Sequence, residues 1–232
     1  MPLSLKSYFE DFISLIYPHT CISCDNLLPK GSIDVCPSCL YNLPKTKNHI
    51  IPVPQFRQKF EGIVKVEKLY VYSYFQKHSI VQKILHQLKY ADNPEIGETF
   101  GRYFGKDLIS ESKIPQFDII VPVPLHPKKL KERGYNQSEM IARGMSRALQ
   151  VDINCDILFR KKHQRTQTKR SKINRIQVMS DTFGVIDSKL TGKNVLLVDD
   201  VLTTGATLIA CVEQLQKLKP ISISIAILAG VK

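Results

Sequence analysis

The chain has 232 residues, 43% of them apolar and 23% charged, with a formal net charge of +12. Such a composition excludes a disordered or fibrous chain, and no stretch reaches the roughly 18 apolar residues a membrane-spanning helix needs. The positive excess calls for acidic partners (phosphates, nucleic acid or an anionic surface) without choosing among them.

In chain order, Leu5, Phe9, Phe12, Ile13 and Ile16 recur at helical spacing and predict an amphipathic helix over residues 1–18. Glu10 and Asp11 interrupt its apolar run and no small-residue cleavage site follows, so it does not read as a secretion signal. Its polar face is not rich in Lys or Arg, which favours packing on the body of the protein over a membrane surface. Residues 19–45 hold CISC and CPSC, with Cys21, Cys24, Cys36 and Cys39 on two tight knuckles. Four thiolates at this spacing suit tetrahedral Zn²⁺ and leave no open coordination position, so the metal is expected to be structural. Disulfides are the competing use, disfavoured in a chain that carries no secretory signal. A ribbon of this size binds nucleic acid or protein, or props up an N-terminus.

Residues 46–64, with scattered prolines and no clear period, read as a linker into a larger domain over 65–232. Strands are predicted at Val66–Phe75, Asp118–Val123, Ile153–Phe159, Thr182–Ile186, Val195–Val198 and Ile221–Leu228. Helices are predicted from Ile80 to near Lys89, at Glu95–Ser110, at Gln137–Leu149 and at Thr204–Leu218. Alternation of strands and helices predicts an α/β fold with a mostly parallel sheet flanked by helices. Ligands of such sheets sit at the carboxyl ends of the strands.

The most informative stretch is NVLLVDDVLTTGATL, residues 194–208. A buried apolar strand leads into Asp199 and Asp200, and Thr203, Thr204, Gly205, Ala206 and Thr207 then open a helix. Hydroxyls and free N–H groups at a helix N-terminus cradle a phosphate, and Gly205 lets the backbone approach closely. The carboxylates can accept hydrogen bonds from vicinal hydroxyls. A sugar phosphate offers both groups at once. The run resembles the phosphoribosyl pyrophosphate (PRPP) loop of type I phosphoribosyltransferases. VLLVDD also resembles the start of response-regulator receiver domains. Those place the acidic pair at the beginning of the domain and lack the TTGAT turn, so that reading is discarded.

Two basic segments precede this loop. The first holds Lys128, Lys129, Lys131 and Arg133, then Gly134, Tyr135, Asn136 and Gln137, beyond a strand's carboxyl end where cations and amides suit pyrophosphate. The second, Arg160–Arg175, has eight Lys or Arg among sixteen residues and no acid. Neutralisation by a polyanion could order it, and closing it would exclude water from a reactive centre. A nucleic-acid patch is an alternative compatible with that use.

The order and spacing of the four-Cys module, LKY, PVPL…RGYNQ, QRTQTKRSKINR and VDDVLTTGAT resemble the ComF competence protein family over nearly the whole chain. The resemblance implies a zinc ribbon fused to a type I phosphoribosyltransferase fold. It also implies a cytoplasmic role in natural transformation, handling incoming single-stranded DNA alongside a competence helicase or other transformation proteins. By the same resemblance, Asp199 and Asp200 hold the ribose hydroxyls, Thr203 to Thr207 the 5′-phosphate, and the loop from Arg133 to Gln137 the pyrophosphate. The region from Arg165 to Arg175 resembles the flexible catalytic loop of that family, with Arg165, Lys169 and Arg175 as the candidate catalytic residues. Lys89 and Tyr90 match LKY, although Ala91, Asp92, Asn93 and Pro94 depart from the usual glycine-containing continuation.

Two readings follow. In the first, the protein is an enzyme that binds PRPP with Mg²⁺, which bridges pyrophosphate and ribose oxygens. In the second, it is a non-catalytic, nucleotide-regulated module that binds DNA through its basic surface.

Overall fold

The structure, a computed structural model, describes residues 18–29, 32, 34–48, 50–110, 116–161, 182–186 and 190–232. The helix expected over residues 1–18 falls outside them, except for its last residue. So do Arg165, Lys169 and Arg175.

Four strands form one parallel sheet: β1 (Leu69–Tyr74), β2 (Ile119–Pro122), β5 (Asn194–Leu202) and β6 (Ser222–Gly230), in the order β1-β6-β5-β2. Their apolar runs are continuous because both faces are covered. Period-two alternation divides each run between two cores. Leu196, Val198, Ala226 and Leu228 point into one, and Val195, Leu197, Ile225 and Ile227 into the other.

The first core is closed by α3 (Ile80–Tyr90), α4 (Pro94–Ile109) and α6 (Gln137–Leu149). Ser79 and Asn93 start α3 and α4 by accepting hydrogen bonds from Gln82 N and Ile96 N. Helices α4 and α6 cross closely. A methyl group at Gly101 would lie 2.1 Å from the Ile141 carbonyl oxygen, and one at Gly144 2.0 Å from that of Glu98. The close approach lets Phe100 and Phe104 bury fully, each contributing about 1.5–3 kcal/mol.

The second core lies under α7 (Ala206–Gln216) and a small antiparallel pair, β3 (Leu158–Arg160) with β4 (Phe183–Val185). The short α2 (Pro54–Arg57) and the turns after it add Phe56 and Phe60 to this core. The N-terminal module, with α1 (Pro37–Tyr41), packs Cys21, Val35, Cys36 and Leu43 against the first core. It is also tied on by Lys83 Nζ donating to the Ser23 carbonyl at 2.8 Å and Asn93 Nδ2 to Asp34 at 2.6 Å.

Three expectations change. The strand expected at Ile153–Phe159 is divided: Ile153 makes an isolated parallel bridge to Ile120, and only Leu158–Arg160 forms a strand, paired with β4. Strand β5 runs beyond Val198 and carries both aspartates within it. The basic loop after β2 contains a helix, α5 (Pro127–Arg133), capped by the His126 ring at its start and by Gly134, with φ 81°, at its end.

Candidate functional site

The carboxyl edge of the sheet gathers the residues singled out in the sequence. Strand β5 carries Asp199 and Asp200 among its last residues before Leu202, the Thr203–Gly205 turn leads into α7, and the segment after β2 leads through α5 into α6. Asp199 is 8% exposed. Its Oδ1 accepts from Ser138 Oγ at 2.7 Å and from the Asp200 backbone N–H at 2.9 Å. Burial, reinforced by the neighbouring Asp200 charge, raises its carboxyl to about 7 against the pull of the Ser138 hydroxyl. Lys89 Nζ lies 2.8 Å from Asp200 Oδ2, so LKY meets the acidic pair directly.

The turn after β5 adopts the form its residues favour. Gly205 has φ 84° and precedes the first turn of α7. Thr204 Oγ1 accepts from Ala206 N at 3.4 Å. Thr203 is exposed, and its carbonyl accepts from Lys59 Nζ at 2.6 Å, a contact from outside the turn.

Beside Lys89 opens a cleft of about 690 Å³ lined by Tyr90, Asp92, Lys129, Lys131, Glu132, Arg133 and Gly134. The Arg133 guanidinium lies over the Tyr90 ring, 5.5 Å from its centroid. Tyr135 faces inward, donating its hydroxyl to the Leu88 carbonyl at 2.9 Å and so tying this segment to the end of α3. Asn136 caps α6 through Ser138 N and donates to the Val123 carbonyl. Gln137 is 3% exposed, and its Nε2 is buried without a hydrogen-bond partner among the described residues. The structure therefore brings together Lys89, the segment from Arg133 to Gln137, Asp199, Asp200 and the turn from Thr203 to Thr207.

Sequence reasoning missed two neighbours. Ser138 is hidden as an ordinary residue in a helix's first turn, and its position one residue after the RGYNQ run is the available signal. Lys59 lies in a segment without periodicity, far along the chain from Thr203.

In the N-terminal module the four cysteine sulfurs all lie within 4.8 Å of one another, and none is in a disulfide. Cys24 Sγ and Cys36 Sγ are 3.6 Å apart. A tetrahedral ZnS₄ centre with bonds of about 2.3 Å has sulfur–sulfur edges of roughly 3.8 Å, so the cluster fits one structural metal ion. Cys36 N donates to Cys21 Sγ at 3.3 Å and Cys39 N to Cys36 Sγ at 3.4 Å. Burial pushes the Cys21 thiol up, but N–H groups of Cys36, Cys24 and Ser23 outweigh it and bring it to about 6, which favours the thiolate a metal needs. No described helix is long and apolar enough to cross a membrane.

Residues 136–232 match the family profile described as Phosphoribosyl transferase domain. Competence protein ComFC of Bacillus subtilis is 26% identical over 219 residues, covering 83% of this chain and 87% of that protein. Competence protein F of Haemophilus influenzae is 38% identical over 108 residues, 46% of each chain. The chain is thus similar to competence proteins of the ComF type, and its C-terminal part carries a phosphoribosyltransferase domain. A further relative, DNA utilization protein YhgH of Escherichia coli, is 27% identical over 176 residues, 75% of this chain and 74% of that one. The molecule has two recognisable parts: a type I phosphoribosyltransferase fold, and four clustered cysteines at the N-terminus.

Proposed function

We propose that this protein is a member of the ComF family that binds PRPP with Mg²⁺ at the carboxyl edge of the sheet, transfers its phosphoribosyl group, and serves natural transformation by handling incoming single-stranded DNA. The observation that carries the reading is the juxtaposition of Asp199 and Asp200 with a helix-opening Thr/Gly turn on one side and a cationic cleft on the other. Three chemically distinct parts of one ligand are matched: vicinal hydroxyls, a 5′-phosphate and a pyrophosphate.

In this mechanism Asp199 and Asp200 accept hydrogen bonds from the ribose hydroxyls. Thr203 to Thr207 hold the 5′-phosphate through hydroxyls and N–H groups. Arg133, Gly134, Asn136 and Gln137 line the pyrophosphate position, with the buried Gln137 amide as one donor. The carboxylates also offer hard oxygen ligands that suit Mg²⁺, which would neutralise charge on the pyrophosphate and favour its departure. Lys89, released from Asp200 when ribose binds, turns toward the leaving group. As the bond from C1 to the pyrophosphate oxygen lengthens, positive charge develops on the sugar, and the fixed carboxylates stabilise it. Arg165, Lys169 and Arg175, outside the described residues, are candidates for catalytic cations in the same reaction. The N-terminal cysteines hold a structural Zn²⁺.

The relatives' names, competence protein and DNA utilization protein, support the role in transformation. A second reading is a non-catalytic nucleotide-regulated DNA-binding module. The breadth of the cleft and its 71% exposed Tyr90 favour it, because cations beside an open aromatic ring suit a single strand. Incubation with PRPP, Mg²⁺ and a panel of bases and amines separates the two. Pyrophosphate release with one acceptor supports the enzyme. PRPP binding without release under every acceptor supports the module.

A further inference from the structure

We infer that Lys59 is a 5′-phosphate-binding residue, supplied to the Thr203–Thr207 turn from a segment outside the residues that match the phosphoribosyltransferase profile. The inference rests on the proposed PRPP site and adds a residue to it. The turn needs a cation. From Asn194 to Gln216 the chain contains no Lys or Arg, but three acids, Asp199, Asp200 and Glu213. A phosphate in the turn would meet neutral donors alone from its own strand and helix, with two carboxylates close behind. Lys59 corrects this imbalance. Its Nζ lies 2.6 Å from the Thr203 carbonyl, at the mouth of the turn.

The placement is built into the fold. Phe60 is 2% exposed and anchors the segment in the second core. A methyl group at Gly205 would lie 3.5 Å from Lys59 Cβ and 3.6 Å from the Phe60 ring, so the segment is packed directly on the turn. Lysine suits the task because its ammonium carries three donors on a flexible stem. One can stay on the Thr203 carbonyl while another reaches a phosphate oxygen. The same contact holds the turn in shape before the ligand arrives.

The test is calorimetry of Lys59→Met and Lys59→Arg against the parent protein, with ribose 5-phosphate, PRPP and inorganic pyrophosphate as separate probes in Mg²⁺ buffer. Methionine keeps the stem's packing and removes the charge. Lys59→Met is expected to lose roughly tenfold to a hundredfold in affinity for ribose 5-phosphate and PRPP, the range for a charge-assisted hydrogen bond. Its pyrophosphate affinity should not change, and Lys59→Arg should recover most of the loss. Unchanged ribose 5-phosphate affinity in Lys59→Met would overturn the inference, as would an equal loss for all three probes, which marks a structural role. If the parent protein binds neither ribose 5-phosphate nor PRPP, the PRPP site itself fails, and Lys59 with it.

Discussion

Replacing Asp199 with Asn should make the protein more stable at neutral and higher pH. Burial and the adjacent Asp200 raise the Asp199 carboxyl from an ordinary 3.8 to about 7. Below pH 4 the group is protonated in both folded and unfolded chains and contributes no pH dependence. Between pH 4 and 7 the unfolded chain loses this proton and the folded one keeps it, so stability falls as pH rises. At about 1.4 kcal/mol per pH unit, the window of roughly three units amounts to about 4 kcal/mol. The Asn side chain cannot ionise, yet its carbonyl oxygen can still accept from Ser138 and from the Asp200 N–H. Urea denaturation of both proteins at pH 5, 6, 7 and 8 isolates the effect, because every other titrating group is shared. The stability difference should move steadily in favour of the Asp199→Asn variant up to pH 7 and then level off. A difference independent of pH would refute the buried-carboxyl argument. The expected gain in stability and loss of ligand affinity together would mark a site that holds a costly group for function.

Gly144→Ala should cost about 1–3 kcal/mol and lower the melting temperature by several degrees, because its methyl group meets the Glu98 carbonyl and the Arg102 N–H where α4 and α6 cross; an unchanged melting temperature would contradict that crossing. Chelation or Cys36→Ser should release about one zinc ion per chain and loosen the N-terminal module, whose Cys21 and Cys36 pack into the first core; a metal-free parent protein with the same melting curve would refute the ribbon. Binding of a single-stranded oligonucleotide should weaken steeply between 50 and 200 mM salt, by roughly a hundredfold or more if several phosphates are contacted; a flat response would exclude the basic segments as the contact.

Much of this architecture is legible in the sequence because both faces of the sheet are covered. Runs such as VLLV and ISIAILA need no knowledge of their neighbours to be read as buried strands, and Asn93-Pro94 announces α4 by its cap and its fixed φ. What escaped depends on partners distant in sequence or on charge that masks a pattern. Leu158–Arg160 becomes a strand only because Phe183–Val185 lies beside it. Helix α5 is hidden by its Lys and Arg, although Pro127 at its start and Gly134 at its end mark both limits. The acidic pair and the Thr/Gly turn are contiguous and could be read together. Ser138 and Lys59 reach them only through the fold. Tyr135, named from sequence among ligand-facing residues, has its hydroxyl on the Leu88 carbonyl, and the exposed ring of the cleft belongs to Tyr90.

The central claim is that Asp199 and Asp200 hold the ribose of PRPP, and the most direct measurement is titration calorimetry of PRPP with Mg²⁺ into the parent protein and into the double variant Asp199→Ala, Asp200→Ala. Binding to the parent should be saturable, with a loss of more than about a hundredfold in the variant, since two charged acceptors are removed at once. Equal affinity for the two proteins, with both folded by circular dichroism, would contradict it.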